Sequence, residues 1–353
     1  MAELRQILEL WRAARAQGDD VCLATVVRVE GSAYRKPGAR MLLTSSGLRA
    51  GTISGGCLEG EVQKKAWWLT ENGPSVQRYS SFFDEDSEMP YGLGCGGTVH
   101  VLLERGEAVD RTLRALAHGV DERADIAIVS SIDTNSRRAR GPRVILSSDG
   151  CIFHAEEMET RREFAEMALR DQRSSWQDDG AIFVEYVPPP PALYIFGAGD
   201  DAQPLVEFAH RLGWMITVVD GRSNLARPER FPLASNVQVS RTFQDIRPES
   251  RDAAVILTHS YEQDRAALRA LLSRQLAYVG ILGPRLRTER LLSAVAPEMG
   301  MSVDECRSQL HSPVGLDIGA KDPVSIALSI IAEIHAVFEH KAAGMQRTSV
   351  VHV

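Results

Sequence analysis

The sequence predicts an α/β protein of two domains: an N-terminal α+β domain, then a C-terminal Rossmann-like domain with a doubly wound parallel sheet. Three observations predict it. Strand-like runs come in blocks through the first half, strand and helix alternate through the second, and four consecutive prolines, Pro188 to Pro191, separate the halves. Blocked strands with few helices between them lead to α+β, whereas a βαβ rhythm leads to a parallel sheet.

The opening MAELRQILELWRAARAQGDD has the spacing of an amphipathic helix and lacks the unbroken apolar stretch of a signal peptide. CLATVVRVEG, ARMLLTSSG, SVQRYSSF, GTVHVLLERG, ADIAIVSSID and RVILSSDG are β-rich runs bounded by glycine or polar turns. Helical spacing covers Leu58 to Asn72, Asp110 to His118 and Glu156 to Arg170. The run AIFVEYV leads into the prolines, a stiff extended spacer without backbone donors. Beyond it come ALYIFG, a helix from Asp201 to Leu212, then MITVVD, NVQVS, AAVILTH and AYVGILG, with helices after the last two. A final helix, Asp322 to Phe338, is entered through Asp322-Pro323, where proline lacks only a donor the helix would not use. The expected domains are therefore 1–187 and 192–343, joined by the linker 188–191 and followed by a loosely ordered tail, 344–353.

A chain of 353 residues with 44% hydrophobic and 25% charged residues can bury a core in each domain. Its net charge of -7 argues against a broad nucleic-acid surface but leaves room for a small anion site. The five cysteines, Cys22, Cys57, Cys95, Cys151 and Cys306, are odd in number, scattered and without a CxxC pair. That excludes a disulfide framework and a four-cysteine zinc site. The most apolar stretch, Ile326 to Val337, is broken by Glu333 and His335, too soon to span a bilayer. The expectation is a cytoplasmic protein with reduced thiols and neither membrane nor nucleic acid as partner.

Gly197-Ala198-Gly199-Asp200-Asp201-Ala202 is a GxGxxA turn between a strand and a helix. Gly197 and Gly199 suit close approach of a pyrophosphate to helix-terminal amides. Asp220 ends the next strand where a ribose-binding acid sits, and Arg222 is within reach of a phosphate. Against this, Asp200 and Asp201 put two carboxylates where phosphate oxygens would approach, unless they serve as helix caps. The turn equally suits a Rossmann-like domain that binds no dinucleotide. Gly280 to Arg285 and His311 to Gly319 form further glycine loops on the same side of the sheet, and His259 ends a strand there as a ligand, a base or a structural group.

Gly31 to Arg40 lies between two strands and combines glycines, the Ser32 hydroxyl and the cations Arg35, Lys36 and Arg40, a set suited to a phosphate; a plain hairpin with solvated charges would look similar. In Gly51 to Gly60 a strand runs into Gly55-Gly56, then Cys57 stands near a helix start, whose positive end favours an anionic sulfur. In Gly92 to Gly97, Cys95 sits among glycines that include Gly96, so something bulky can approach its sulfur. A thiolate is a soft ligand, fit for molybdenum or for carrying sulfur. Cys22, Cys151 and Cys306 sit in strand or helix patterns and are expected to pack as small hydrophobes.

Taken in order, GSAYRKPGARML, GTISGGCLEGEV, GLGCGGTVHVLLE, LYIFGAGDDAQPL, VVDGR, RFP, YVGILGPR and SPVGLDIGAKDPVSIALSIIAEI resemble the XdhC/CoxI family over most of the chain, from about Glu30 to Val337. The resemblance implies a protein that binds the molybdenum cofactor (molybdopterin), shields it and holds it while a cysteine desulfurase supplies the terminal sulfido ligand. It would then pass the cofactor to a molybdenum hydroxylase such as xanthine dehydrogenase, and act as a homodimer. Cys57 and Cys95 match the family's cysteines in its two glycine loops, and Arg35 and Arg40 match basic positions of the first. The chain departs from the family at Asp200, commonly histidine, and at Pro284, often serine. Two alternatives remain open: an NAD(P)-dependent oxidoreductase using the GxGxxA turn, and a sulfurtransferase using Cys57 or Cys95.

Overall fold

The computed structural model describes residues 1–80, 97–133, 138–155 and 158–344. The chain divides into two compact units between Pro189 and Pro190.

The N-terminal unit opens with helix α1 (Ala2–Gln17), stopped by Gly18 in the left-handed region. It buries Ile7, Leu8, Trp11 and Ala14, one stripe at helical spacing. Each large side chain of that stripe contributes about 1.5–3 kcal/mol, and the Trp11 indole also donates to Asp110 at 2.9 Å. Strands β1 (Val21–Gly31), β2 (Arg40–Thr44), β3 (Arg49–Gly51), β4 (Ser75–Ser80), β5 (Gly97–Arg105), β6 (Ile126–Asp133), β7 (Arg138–Ser147), β8 (Ile152–Ala155), β9 (Ser175–Gln177) and β10 (Ile182–Val187) form one antiparallel sheet. Its order is β3-β2-β1-β5-β4-β7-β6-β10-β9, with β8 beside β7. Helices α2 (Glu59–Leu69), α3 (Glu107–Asp121) and α4 (Met158–Asp171) pack on it.

The sheet curls strongly. Arg40 on β2 and Glu185 on β10 form a buried ion pair at 2.5 Å although five strands separate them in the order. Val27, Val76, Leu102, Ile132 and Phe183, from five different strands, meet inside the curl. Glu104 is buried there too, and burial pushes its carboxyl up to about 7 against the opposing pull of Arg40.

The C-terminal unit carries five parallel strands, β11 (Ala192–Phe196), β12 (Met215–Asp220), β13 (Asn236–Val239), β14 (Ala253–Ile256) and β15 (Tyr278–Ile281), in the order β13-β12-β11-β14-β15. Both faces are covered, which is why these strands read as continuous apolar runs. Leu193 and Ile195 face α5 (Ala202–Arg211) and α9 (Pro323–Phe338), while Phe196 faces α6 (Tyr261–Leu272) and α7 (Arg285–Met299). A short α8 (Val303–Ser308) follows α7. This is the Rossmann-like arrangement the alternation of strand and helix led to, and its order reverses between β11 and β14, where such sheets open a ligand crevice. Among the described residues no helix is long and apolar enough to cross a membrane.

Candidate functional site

In the N-terminal unit three glycine-containing segments converge. Tyr34 lies against Gly55, where a Cβ would meet its ring at 3.7 Å. Glu3 accepts from Arg35 and from the Thr52 hydroxyl at 2.9 Å, so one carboxylate ties the Gly31–Arg40 loop to the Gly51–Gly60 loop. Gly97, two residues beyond Cys95, passes under the Ser32 carbonyl so closely that a Cβ would stand 2.1 Å from that oxygen. Ser32 itself is exposed. Cys95 and Gly96 lie outside the described residues.

Cys57 is exposed on a turn whose interior is built around Glu59. The Glu59 carboxylate is 2% exposed and accepts from the Ile53 and Ser54 N–H groups at 3.1 and 2.8 Å and from the Ser54 hydroxyl at 2.5 Å. Burial works to raise this carboxyl, but the Ser54 hydroxyl and the amides outweigh it and hold it below its usual range. Ser54 Oγ in turn accepts from the N–H groups of Gly56 and Leu58, both at 3.1 Å. The Cys57 thiol stands 3.5 Å from an oxygen already so engaged. Gly56 adopts φ +111, a conformation that excludes a side chain without strain. Among the described residues the N–H groups of Gly55 and Cys57 have no acceptor. The turn therefore presents a sulfur and free amides on a rigid, negatively anchored base.

The cations of the first loop divide. Lys36 is exposed and without an ion-pair partner among the described residues. Arg35 is part-buried against Glu3. Arg40 corrects an expectation: it is 9% exposed, bound to Glu185 and to the Gly38 carbonyl at 2.9 Å, so its charge closes the sheet and does not face a ligand.

The Rossmann-like turn also differs from expectation. Gly197 has φ +124 and passes the Leu257 carbonyl, which a Cβ would meet at 2.4 Å. Asp220 is fully buried. Its Oδ2 accepts from Ala198 N–H at 2.8 Å and Arg222 Nη2 at 2.7 Å, and its Oδ1 from Arg222 N–H and Nε, both at 2.9 Å. Four donors fill a carboxylate's acceptor sites, so Asp220 has no capacity left for a ribose hydroxyl. Arg222 is likewise spent on Asp220 and on the Thr258 carbonyl at 3.3 Å, not on a phosphate. Burial works to raise Asp220, but Arg222 and the Ala198 amide hold it below the ordinary range.

Asp201 stands at the N-cap of α5, but neither its side chain nor that of Asp200 makes a capping bond: Asp200 pairs with Arg230 at 2.6 Å, and Asp201 with His259 at 2.7 Å. The N–H groups of Gly199, Asp200 and Asp201 take no acceptor among the described residues. The His311–Gly319 loop is fixed by Glu333 of α9, which accepts from Tyr278 at 2.5 Å and from Gly315 N–H at 2.8 Å and lies 3.0 Å from His311.

Residues 14–80 match the model of the XdhC and CoxI family, and residues 193–334 match the XdhC Rossmann domain. Over 332 residues the chain is 33% identical to a Bacillus subtilis protein named as a probable xanthine dehydrogenase subunit, covering 90% of this chain and 92% of that one. The chain belongs to the XdhC and CoxI family. It is 24% identical over 337 residues to a family relative from Escherichia coli, the molybdenum cofactor insertion chaperone PaoD, covering 96% of this chain and 89% of the relative. A crystal structure from Bacillus halodurans, named a xanthine dehydrogenase, superposes with a TM-score of 0.77 at 30% identity, over 96% of this chain and 97% of that one.

Within this XdhC-type chain, sequence reasoning missed Ser54, Glu59 and Tyr34. Their signal was present but weak: a serine and a glutamate flanking Gly-Gly-Cys, and an aromatic residue inside a basic loop. Cys22 and Cys306 are buried as expected, and burial pushes the Cys22 thiol up to about 12. Cys151 overturns its expectation by being exposed, in the turn before β8 and not in a strand.

Proposed function

We propose that this XdhC-family protein is a molybdenum cofactor chaperone. It holds molybdopterin-type cofactor and delivers it to a molybdenum hydroxylase such as xanthine dehydrogenase. The observation that carries the reading is the exposed Cys57 on a turn fixed from beneath by buried Glu59. A family relative bearing the name molybdenum cofactor insertion chaperone supports it.

The residues present fit such a group. The free amides of Gly55 and Cys57 and the exposed Lys36 suit an anionic tail. The exposed Tyr34 ring offers a plane for a flat heterocycle. Cys57 Sγ supplies the soft donor that a molybdenum centre takes. Cys95 belongs to the same proposal through its glycine loop, as do Ser32, Gly96 and Arg35. Within the C-terminal unit, the amides around Gly197 and Gly199 offer an anion a place of its own. When bound, the cofactor carries the metal centre that the hydroxylase uses. The chain itself binds, orients and shields, and a cysteine desulfurase supplies the terminal sulfido ligand while the cofactor is held. We place the protein in the cytoplasm, acting as a homodimer.

Anaerobic purification from a cofactor-producing host, with pterin fluorescence and molybdenum analysis, tests this. The expected result is near-stoichiometric pterin in the parent protein and a loss of about tenfold in Cys57→Ser. Absence of pterin from the parent protein would sink the reading.

A further inference from the structure

Away from the loops described above, α3 and the turn between β7 and β8 bring three unlike metal-binding side chains together. His118 stands in the last turn of α3, and Asp149 and Cys151 flank Gly150, which takes φ +92. His118 Nε2 lies 2.6 Å from Asp149 Oδ2, and the donor atoms of all three residues lie within 4.8 Å of one another. The His118 ring also rests against Phe153, with centroids 5.2 Å apart, so the imidazole is held on two sides. The Cys151 N–H donates to Asp149 Oδ1 at 3.2 Å, fixing the carboxylate over its own turn.

A thiol nucleophile would need the imidazole between the sulfur and the carboxylate, so that nitrogen takes the thiol's proton. Here the carboxylate is in the middle. Asp149 is hydrogen-bonded to His118, and partial desolvation together with the Asp149 carboxylate beside it favours the protonated Cys151 sulfur and does not activate it. What the cluster does offer is one nitrogen, one oxygen and one sulfur converging at the surface. Zinc bonds to such donors at about 2.0–2.3 Å, so a tetrahedral ion needs them roughly 3.3–3.7 Å apart. The present separations, from 2.6 Å to no more than 4.8 Å, lie within a side-chain rotation of that range. Glu122, four residues beyond His118, adds negative charge felt at Cys151.

We propose that His118, Asp149 and Cys151 form a binding site for a zinc-class divalent cation, with the fourth position open to water. The metal takes the place of the proton between Asp149 and His118. The Cys151 thiol releases its proton to solvent and binds as thiolate, and neutral His118 binds through Nε2. The ion then ties the end of α3 to the β7–β8 hairpin. Nothing in this depends on the cofactor reading.

Cobalt(II) is the probe, added to the full-length protein carrying Cys57→Ser and Cys95→Ser so that the glycine-loop thiols do not contribute. One equivalent should saturate a thiolate-to-cobalt charge-transfer band, and zinc should displace it. Adding Cys151→Ser should abolish the band, and His118→Ala should weaken binding at least tenfold. A band that is absent from the parent, or that survives Cys151→Ser, overturns the proposal. Thermal melts without metal show whether each variant folds. Zinc should raise the parent's melting temperature but not that of His118→Ala/Cys151→Ser, and an equal shift in both would count against the site.

Discussion

His259 Nε2 and Asp201 Oδ2 meet at 2.7 Å across the point where the parallel sheet reverses its order, joining the turn after β11 to the loop after β14. His259 holds φ +57, a left-handed conformation that costs a non-glycine residue about 1–2 kcal/mol. The backbone thus accepts a small strain while the ring gives the Asp201 carboxylate a hydrogen-bond partner. The imidazole is largely exposed, so the pair contributes little by itself. His259→Asn, which tolerates this conformation, should lower stability by no more than about 1 kcal/mol in urea titration. A loss above about 3 kcal/mol would mean the contact organises far more than the turn.

Asp220 is the opposite case. It is wholly buried and holds the Ala198 amide and Arg222 together. Asp220→Asn leaves Arg222 half-paired and sets a donor against donors. It should cost about 3 kcal/mol, seen as a falling denaturation midpoint. Because its acceptor sites are filled, NAD(H) titration should give no saturable binding. Tight stoichiometric binding would contradict the geometry.

Glu59→Gln should disturb the Cys57 turn with Cys57 itself unchanged. One acceptor oxygen replaces two, and the new amide faces the Ser54 hydroxyl, so about 2 kcal/mol is lost and cofactor retention falls with it. Since the folded carboxyl lies below its ordinary 4.5, its contribution is complete above that pH and is lost as pH falls through the folded value. Retention in the parent should therefore fail on acidification below about 4.5, measurable as released pterin. Unchanged retention in Glu59→Gln would show that the turn needs no anionic anchor.

Glu104 gives the reverse pH dependence. Its folded value of about 7 exceeds the ordinary 4.5, so the folded state keeps a proton that the unfolded chain has lost. Stability from this group is full below about 4.5 and declines as pH rises to about 7. Glu104→Gln should remove that slope and stabilise the protein at pH 8 by up to about 3 kcal/mol, with little gain at pH 5. Parallel stability curves for the two proteins across this range would refute the buried acid's role.

Gly97→Ala tests the convergence of the loops directly. Its new methyl would be driven into the Ser32 carbonyl, backbone against backbone, with neither side able to yield. A destabilisation of at least about 3 kcal/mol is expected in thermal or urea denaturation. A variant of parent-like stability would show that the loop and strand can part.

Much of the fold could be read from the chain because hydrophobic period and turn residues act locally. The alternation after Pro191 and the capped start at Asp322-Pro323 needed no distant partner to be legible. The site was legible only in part. Cys57 announced itself by its glycines, but Glu59 looked like an ordinary first-turn acid, because the amides that it binds become neighbours only after the turn folds back. Arg40 looked like a loop cation because its partner lies 145 residues away in sequence. Asp220 occupied the position of a ribose acid, and only the side chain of Arg222 reveals that the position is taken. Cys151 read as a strand residue because it directly follows the Asp149-Gly150 turn, and β8 begins only one residue later, at Ile152.

The bond between Arg40 and Glu185 has a consequence for biosynthesis. The strand that accepts Arg40 is the last of its unit, so the loop beside Cys57 cannot be clamped until the ribosome has passed the middle of the chain. Residues 14–80, the stretch that matches the family model, hold one side of that clasp and lack β5 and β10. A nascent fragment ending there would expose unpaired strand edges, with the Cys57 turn already folded on Glu59 but the sheet beside it still open.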